Sequence, residues 1–368
     1  MNRLSAIDAI GPAFSRVGTT LFKPFRLGTW IKMGFIGLLG GGLVTFSMNM
    51  NFRGLMVPPR GSHSNFPSDP WYEIQRALHS VRLADYFHTY FHIIAAVLAA
   101  IVVTSLIFLY LFCRFRFVLF DSVISSQPTV KRGWRQYASQ ANRYFGFWLA
   151  FRLVTFASMV LIIGLPLWHA YKSGTFSGDD SIVSLFQILA SIALSAIAAA
   201  AVFAIVSTLM KDFIMPIMAL DDLLLGDAWS ALWRVIASEP GAWFGYLGMK
   251  VVLAIGAGIA LAIAGFIAML PALVIIGIPV SFLVIPGVFA FKAGATVGAI
   301  ILFVIAGALA ITGLFCLYMM LIAPLTVFFP AYAFYFFGGR YPKLGALLWP
   351  QPVPPAPVPQ MAGTQPAV

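Results

Sequence analysis

Apolar residues run through this chain in long unbroken blocks. Six stretches, 33–52, 86–113, 153–171, 181–210, 251–291 and 293–339, contain no Asp, Glu, Lys or Arg and together make up half of the 368 residues. About 20 helical residues cross a hydrocarbon core of about 30 Å, so each stretch can hold a crossing. The pattern predicts an all-α polytopic transmembrane helical bundle with six spans, near 30–48, 88–112, 146–168, 184–210, 244–268 and 296–320. The fifth stretch is ambiguous, because its helix would run about 60 Å, twice the core. Pro271, Pro279 and Pro286 interrupt it, and residues 271–290 read as an outer-side re-entrant or interfacial excursion or as a seventh span. A seventh span would carry Arg340 and Lys343 to the opposite side, which favours the excursion.

Shorter amphipathic segments precede three of the spans. Ile7, Ile10, Phe14, Val17 and Leu21 recur at helical spacing, as do Trp134, Tyr137, Ala141 and Tyr144, and again Trp229, Leu232 and Ile236. Such stripes suit helices lying in the headgroup plane, with Pro12, Pro128 and Asp227 as start signals. Each segment leads to a similar series. Gly133-Trp134, Tyr137, Phe145-Gly146 and Arg152 parallel Ala228-Trp229, Leu232, Phe244-Gly245 and Lys250; a looser copy is Asp8, Phe14, Gly28, Trp30 and Lys32. The recurrence predicts three pseudo-repeated hairpins, about 1–120, 121–215 and 216–345, within one membrane domain, 1–348.

On the outer side, residues 49–87 predict a Pro/Gly/Ser-rich loop and a helix capped by Asp69 and Pro70, with Trp71, Ile74, Leu78 and Val81 on one face. Pro324, Pro330 and the aromatic run from Phe328 to Phe337 predict a broken helix ending at the inner interface. Gly37-x-x-x-Gly41, Gly294-x-x-x-Gly298 and the small residues from Ala190 to Ala204 would let helices approach closely. Residues 349–368 are rich in proline and read as a disordered cytoplasmic tail.

Composition narrows the class. Charged residues are 10%, hydrophobic residues 61% and mean hydropathy +0.92, values outside the soluble globular range. The net charge of +11 has no concentrated soluble face to serve nucleic acid, so no nucleic-acid partner is expected. It reports orientation instead. With both termini cytoplasmic, 14 basic residues fall inside and 6 outside, as the positive-inside rule requires. No cleavable signal pattern opens the chain, and the first span reads as an anchor. Cys113 and Cys316 both fall near inner helix halves and are expected to be free thiols.

Three groups of residues could carry chemistry. Lys32, Arg152 and Lys250 recur one to two turns inside the inner boundary; they suit snorkelling, or contact with anionic headgroups or with the acidic side chains of the neighbouring loop. Asp85, His88 and His92 share one helix face and form a weak metal candidate without a further strong ligand. All five histidines, including His63, His79 and His169, lie on the outer side. Asp212, Asp221, Asp222 and Asp227 face the basic segment from Arg114 to Arg143, where pairing between loops accounts for them more simply than a Mg²⁺ site or acid–base catalysis. Asp179-Asp180 beside Gly178 reads as a solvated turn. Nucleotide-binding loops, nucleophile elbows and zincin helices are absent from the sequence.

These hairpins, together with the ending Val327-Phe-Phe-Pro-Ala-Tyr-Ala-Phe-Tyr-Phe-Phe-Gly-Gly-Arg-Tyr-Pro342, resemble a loose group of largely uncharacterised six-helix bacterial membrane proteins. The group includes the membrane domain attached to some glycerophosphoryl diester phosphodiesterases. The resemblance implies architecture and an inner-membrane location and brings no catalytic residue, since hydrolysis there belongs to a separate barrel. The expected function is non-enzymatic, with no cofactor: engagement of membrane lipids, of another membrane protein, or of both. A transporter or flippase and an intramembrane lipid-modifying enzyme are the alternatives.

Overall fold

A computed structural model describes residues 3–42, 83–128, 130–173 and 181–349, with only the backbone given for 83–90 and 181–182. Among these residues the fold is helical, without strands. Helix α1 spans Ile10–Leu21 and α2 Leu27–Gly37, the latter running into a π turn, Leu38–Gly42. Then come α3, Leu83–Ser125, α4, Val130–Gln136, and α5, Ala138–Lys172. Helix α6, Ser181–Leu209, passes through a π turn, Met210–Ile214, into α7, Met215–Asp221. Helix α8 is Leu225–Ser238, and α9, Pro240–Ala272, continues through the π turn Leu273–Gly277 into α10, Ile278–Lys292. Helices α11, Thr296–Gly338, and α12, Pro342–Leu348, complete the order.

Local chemistry sets the boundaries. Ahead of α1, the Asp8 N–H donates to Ser5 Oγ at 3.2 Å and the Ser5 N–H to Asp8 Oδ2 at 3.3 Å, a reciprocal capping box. Pro240 and Pro342 open α9 and α12, where a missing N–H removes nothing the helix needs. Asp222 ends α7 in a left-handed conformation with φ 50°, tolerated by a short polar side chain. The Trp30 indole donates to the carbonyl of Leu21 at 2.8 Å and ties the end of α1 to α2.

The core gathers at one end of the long helices, the closed end. The last turns of α3, the first of α5 and α9, the Met210–Ile214 turn and the second half of α11 bury Phe117, Phe120, Tyr144, Phe213, Tyr246, Tyr332, Phe334 and Phe336. Tyr246 lies between Tyr332, centroids 5.2 Å apart, and Phe336, 4.6 Å, while Phe213 meets Trp243 edge-on at 4.7 Å. Each such pair contributes about 0.5–1.5 kcal/mol beyond area burial. Helix α2 reaches α11 on its glycines. A Cβ at Gly34 would overlap the Met319 carbonyl, and one at Gly37 the Thr326 side chain. Gly41, with φ 135°, holds a conformation that side chains rarely adopt, 3.3 Å from Arg116 measured at the site of an added Cβ. The other glycine pair differs, for Gly294 and Gly298 have nothing near them.

At the other, open end the helices expose Leu, Ile, Val and Phe on nearly every face. Phe91–Ser125, Ala138–Lys172, Val183–Asp221, Pro240–Lys292 and Thr296–Gly338 are five helices long and apolar enough to cross a membrane. Apolar surface of this extent has no place in water, and it fits a multi-pass membrane protein. The first predicted span is described only to Gly42.

Three expectations change. Residues 271–290 are not set apart from α9: the helix continues through the π turn Leu273–Gly277 into α10, so Pro240–Lys292 is one helical stretch. Helix α11 passes unbroken through Pro324 and Pro330, and the aromatic run at its end is buried in the core. The packing around these prolines outweighs the lost backbone hydrogen bonds. The amphipathic stripes mostly face protein: Val17, Leu21, Tyr137, Ala141, Tyr144 and Leu232 are buried, while Ile7 and Phe14 stay more than 60% exposed. The segment led by Asp69 and Pro70, Asp179-Asp180, His63, His79 and the tail from Pro350 lie outside the described residues.

Candidate functional site: a cation-rich cavity at the closed end

Three helices bring one carboxylate and three cations together inside the closed end. Asp212 projects from the Met210–Ile214 turn and is 3% exposed; Arg116, on α3, is 7% exposed. The π turn widens the helix by one residue, a device frequent at functional sites. Arg116 donates through NH2 to Asp212 Oδ1 at 3.4 Å and to the Lys211 carbonyl at 3.0 Å, and through NH1 to the Gly40 carbonyl at 3.3 Å. Asp212 Oδ2 accepts from the Tyr246 hydroxyl at 2.8 Å and from Lys250 Nζ. The Lys211 ammonium lies 5.6 Å from the Trp148 ring and 6.0 Å from the Phe112 ring. Both rings offer the negative face that attracts a cation.

These groups line a cavity of about 240 Å³. Arg116, Lys211, Asp212 and Lys250 form its polar end. Its walls are Gly37 and Gly41 from α2 and the following turn, Ala254, Ala257, Gly258 and Leu261 from α9, and Tyr318, Ile322, Leu325, Thr326 and Phe329 from α11. The Arg116 Nε–H, buried, has no hydrogen-bond partner. A buried donor left in this way is costly, and three cations against one carboxylate leave the cavity positive. Such a set can hold an anion.

The predicted candidates separate. Lys250 belongs to the cavity and pairs with Asp212. Lys32 and Arg152 lie exposed on α2 and α5 and line no part of the cavity. Asp85, His88 and His92 all fall on α3; His92 is exposed, and the side chains of Asp85 and His88 lie outside the described residues. Among the described residues no group of three His, Cys, Asp or Glu is placed to hold a metal. His169 ends α5 at the open end, and Cys113 and Cys316 are free.

The acidic residues meet cations. Asp121 pairs with Arg132 at 2.8 Å, Asp222 with Arg143 at 3.3 Å, and Asp221 accepts from Lys343 and Tyr341. Glu239 bridges Arg3 and Arg340. Arg340, whose side chain is 5% exposed, also donates to the Leu4 carbonyl at 3.0 Å, and burial next to Arg3 holds its pKa below the usual guanidinium value. Asp227 is exposed on α8. Arg116 and Lys211 escaped the sequence reading because they sit where loops were expected; the signal available was Lys211-Asp212 closing a charge-free stretch.

No curated protein and no solved structure matches the chain. Residues 4–347 match the model of a family of unknown function, DUF7544, and the chain belongs to that family.

Proposed function

We propose that this is a non-enzymatic integral protein of the bacterial inner membrane, with its closed end in the cytoplasm, that engages anionic lipids. One observation carries the reading. Among the described residues every Lys and Arg except Lys172 and Lys292 belongs to the closed half, where the carboxylates are largely engaged and Lys23, Arg26, Lys32, Arg135, Arg152 and Arg234 face outward. Each basic group near an anionic leaflet contributes about 1 kcal/mol of attraction, and the same asymmetry sets both termini inside.

The reading takes six crossings, with α2 beginning the first, in a membrane domain of 1–348 followed by a cytoplasmic tail. Twice a short closed-end helix leads into a long one, α4 to α5 and α8 to α9, and α1 likewise precedes α2, which supports repeated hairpins. The resemblance to the membrane domain attached to some glycerophosphoryl diester phosphodiesterases supports the same architecture. For the test, the protein is placed in lipid discs of phosphatidylethanolamine and phosphatidylglycerol, and its co-purifying lipids are weighed by mass spectrometry. Phosphatidylglycerol enrichment that falls when Lys23, Arg26 and Lys32 become Gln supports the reading. Enrichment unchanged by those substitutions overturns it and leaves the basic face to a partner membrane protein.

A further inference from the structure

We infer that the closed-end cavity binds one phosphate monoester bearing a single alkyl or acyl chain, with the phosphate between Arg116, Lys211 and Lys250 and the chain between α9 and α11. The inference rests on the proposed membrane placement and is independent of the outward-facing surface cations.

Charge selects the headgroup. Arg116, Lys211 and Lys250 against Asp212 leave two positive charges at the polar end, and a phosphate monoester carries about −1.5 to −2 near neutral pH. The Arg116 guanidinium lines the polar end of the cavity. A planar guanidinium fits phosphate oxygens, and charge-assisted bonds of that kind are short and strong. Asp212 already accepts from Arg116, Tyr246 and Lys250, which fixes the cations in place before a ligand arrives.

Shape selects the chain. The α9 lining residues Lys250, Ala254, Ala257, Gly258 and Leu261 follow at helical spacing on one face, and so do Tyr318, Ile322, Leu325, Thr326 and Phe329 on α11. From the ammonium-bearing residue to Leu261 the face runs about 16 Å, roughly one leaflet of the hydrocarbon core. Ala254, Ala257 and Leu261 are half-buried and Gly258 is exposed, so the cavity meets the lipid-facing side laterally. A cavity of about 240 Å³ takes a phosphate and the first methylenes of a chain, the rest extending laterally.

The test uses the full chain in phosphatidylcholine discs and radiolabelled dodecyl phosphate, with uptake by empty discs subtracted. Saturable binding of one molecule per chain is expected, weakened at least tenfold in Lys211→Gln and lost in Gly258→Phe. Gly258 has nothing within 4 Å of an added Cβ, and a thermal melt matching the parent's shows that the variant reports on the chain alone. Lys23→Gln with Arg26→Gln should leave dodecyl phosphate binding unchanged, whatever becomes of phosphatidylglycerol enrichment, which separates this inference from the surface reading. Uptake no greater than in empty discs, or equal binding by Lys211→Gln, overturns the site. Full displacement by millimolar inorganic phosphate while Gly258→Phe still binds overturns the chain and leaves a free-anion site.

Discussion

Asp212 and Tyr246, 34 residues apart in sequence, meet in a buried 2.8 Å hydrogen bond that fixes the one carboxylate lining the cavity among the described residues. Asp212 alone ties α3, α6 and α9 together, through Arg116, its own π turn and Lys250. Replacing it by Leu strands Arg116 as a buried unpaired charge and should cost about 3–5 kcal/mol. Combining Asp212→Leu with Arg116→Met should recover most of the loss, since exchanging both partners of a buried pair for apolar groups is often neutral. Thermal unfolding in detergent measures both, and equal damage from the single and double variants would refute the account.

Tyr246 and Tyr332 stack at 5.2 Å yet differ in their hydroxyls. That of Tyr246 donates to a carboxylate, whereas that of Tyr332 is buried without a partner. Tyr246→Phe should therefore lose about 1.5–3 kcal/mol, the range for a hydrogen bond to a charged group. Tyr332→Phe should stay within about 0.5 kcal/mol of the parent or exceed it. Melting curves of the two variants decide between this assignment and a purely aromatic role.

The contact of α2 with α11 depends on absent side chains. Gly34→Val should overpack against the Met319 backbone and lower stability by about 1–3 kcal/mol, because a carbonyl cannot give way as a side-chain tip can. Gly298→Ala, in open surroundings within α11, should raise it by about 0.5–1 kcal/mol through helix propensity. The same order of melting temperatures for both would show that the two glycines are equivalent.

Tyr137, between α4 and α5, has its pKa raised, first by burial and then by Asp121 against the opposing effect of Arg132. A phenol whose folded pKa exceeds its unfolded value gives stability that is fully present below about pH 10 and is lost as pH rises toward the folded value. Melting temperature should thus hold from pH 6 to 9 and fall above 10, with a shallower alkaline fall in Tyr137→Phe. An unchanged alkaline slope in that variant would exclude Tyr137 as a contributor.

The six apolar stretches announced the helices because hydropathy is a local property, and five of them appear as helices able to cross a membrane. Of the four aspartates expected to meet the Arg114–Arg143 segment, Asp212 pairs with Arg116 and Asp222 with Arg143, whereas Asp221 pairs with Lys343 and Asp227 is exposed. The site was only partly visible. Lys250 was singled out by recurrence, but Lys32 and Arg152, its counterparts in the series, point away from the cavity. Position along a pattern gives depth, not azimuth, and one turn of a helix decides which cation faces inward.

By itself the sequence determined that most of this chain prefers hydrocarbon to water and that its cations gather at one end, because both follow from which residues are present and in what order. Only the tertiary structure decided that the aromatic run is a core, that Pro324 and Pro330 lie inside a helix, and that Arg116, Lys211, Asp212 and Lys250 converge. Those outcomes depend on contacts between residues tens to hundreds of positions apart. Such contacts form when helices pack, and no local pattern encodes them.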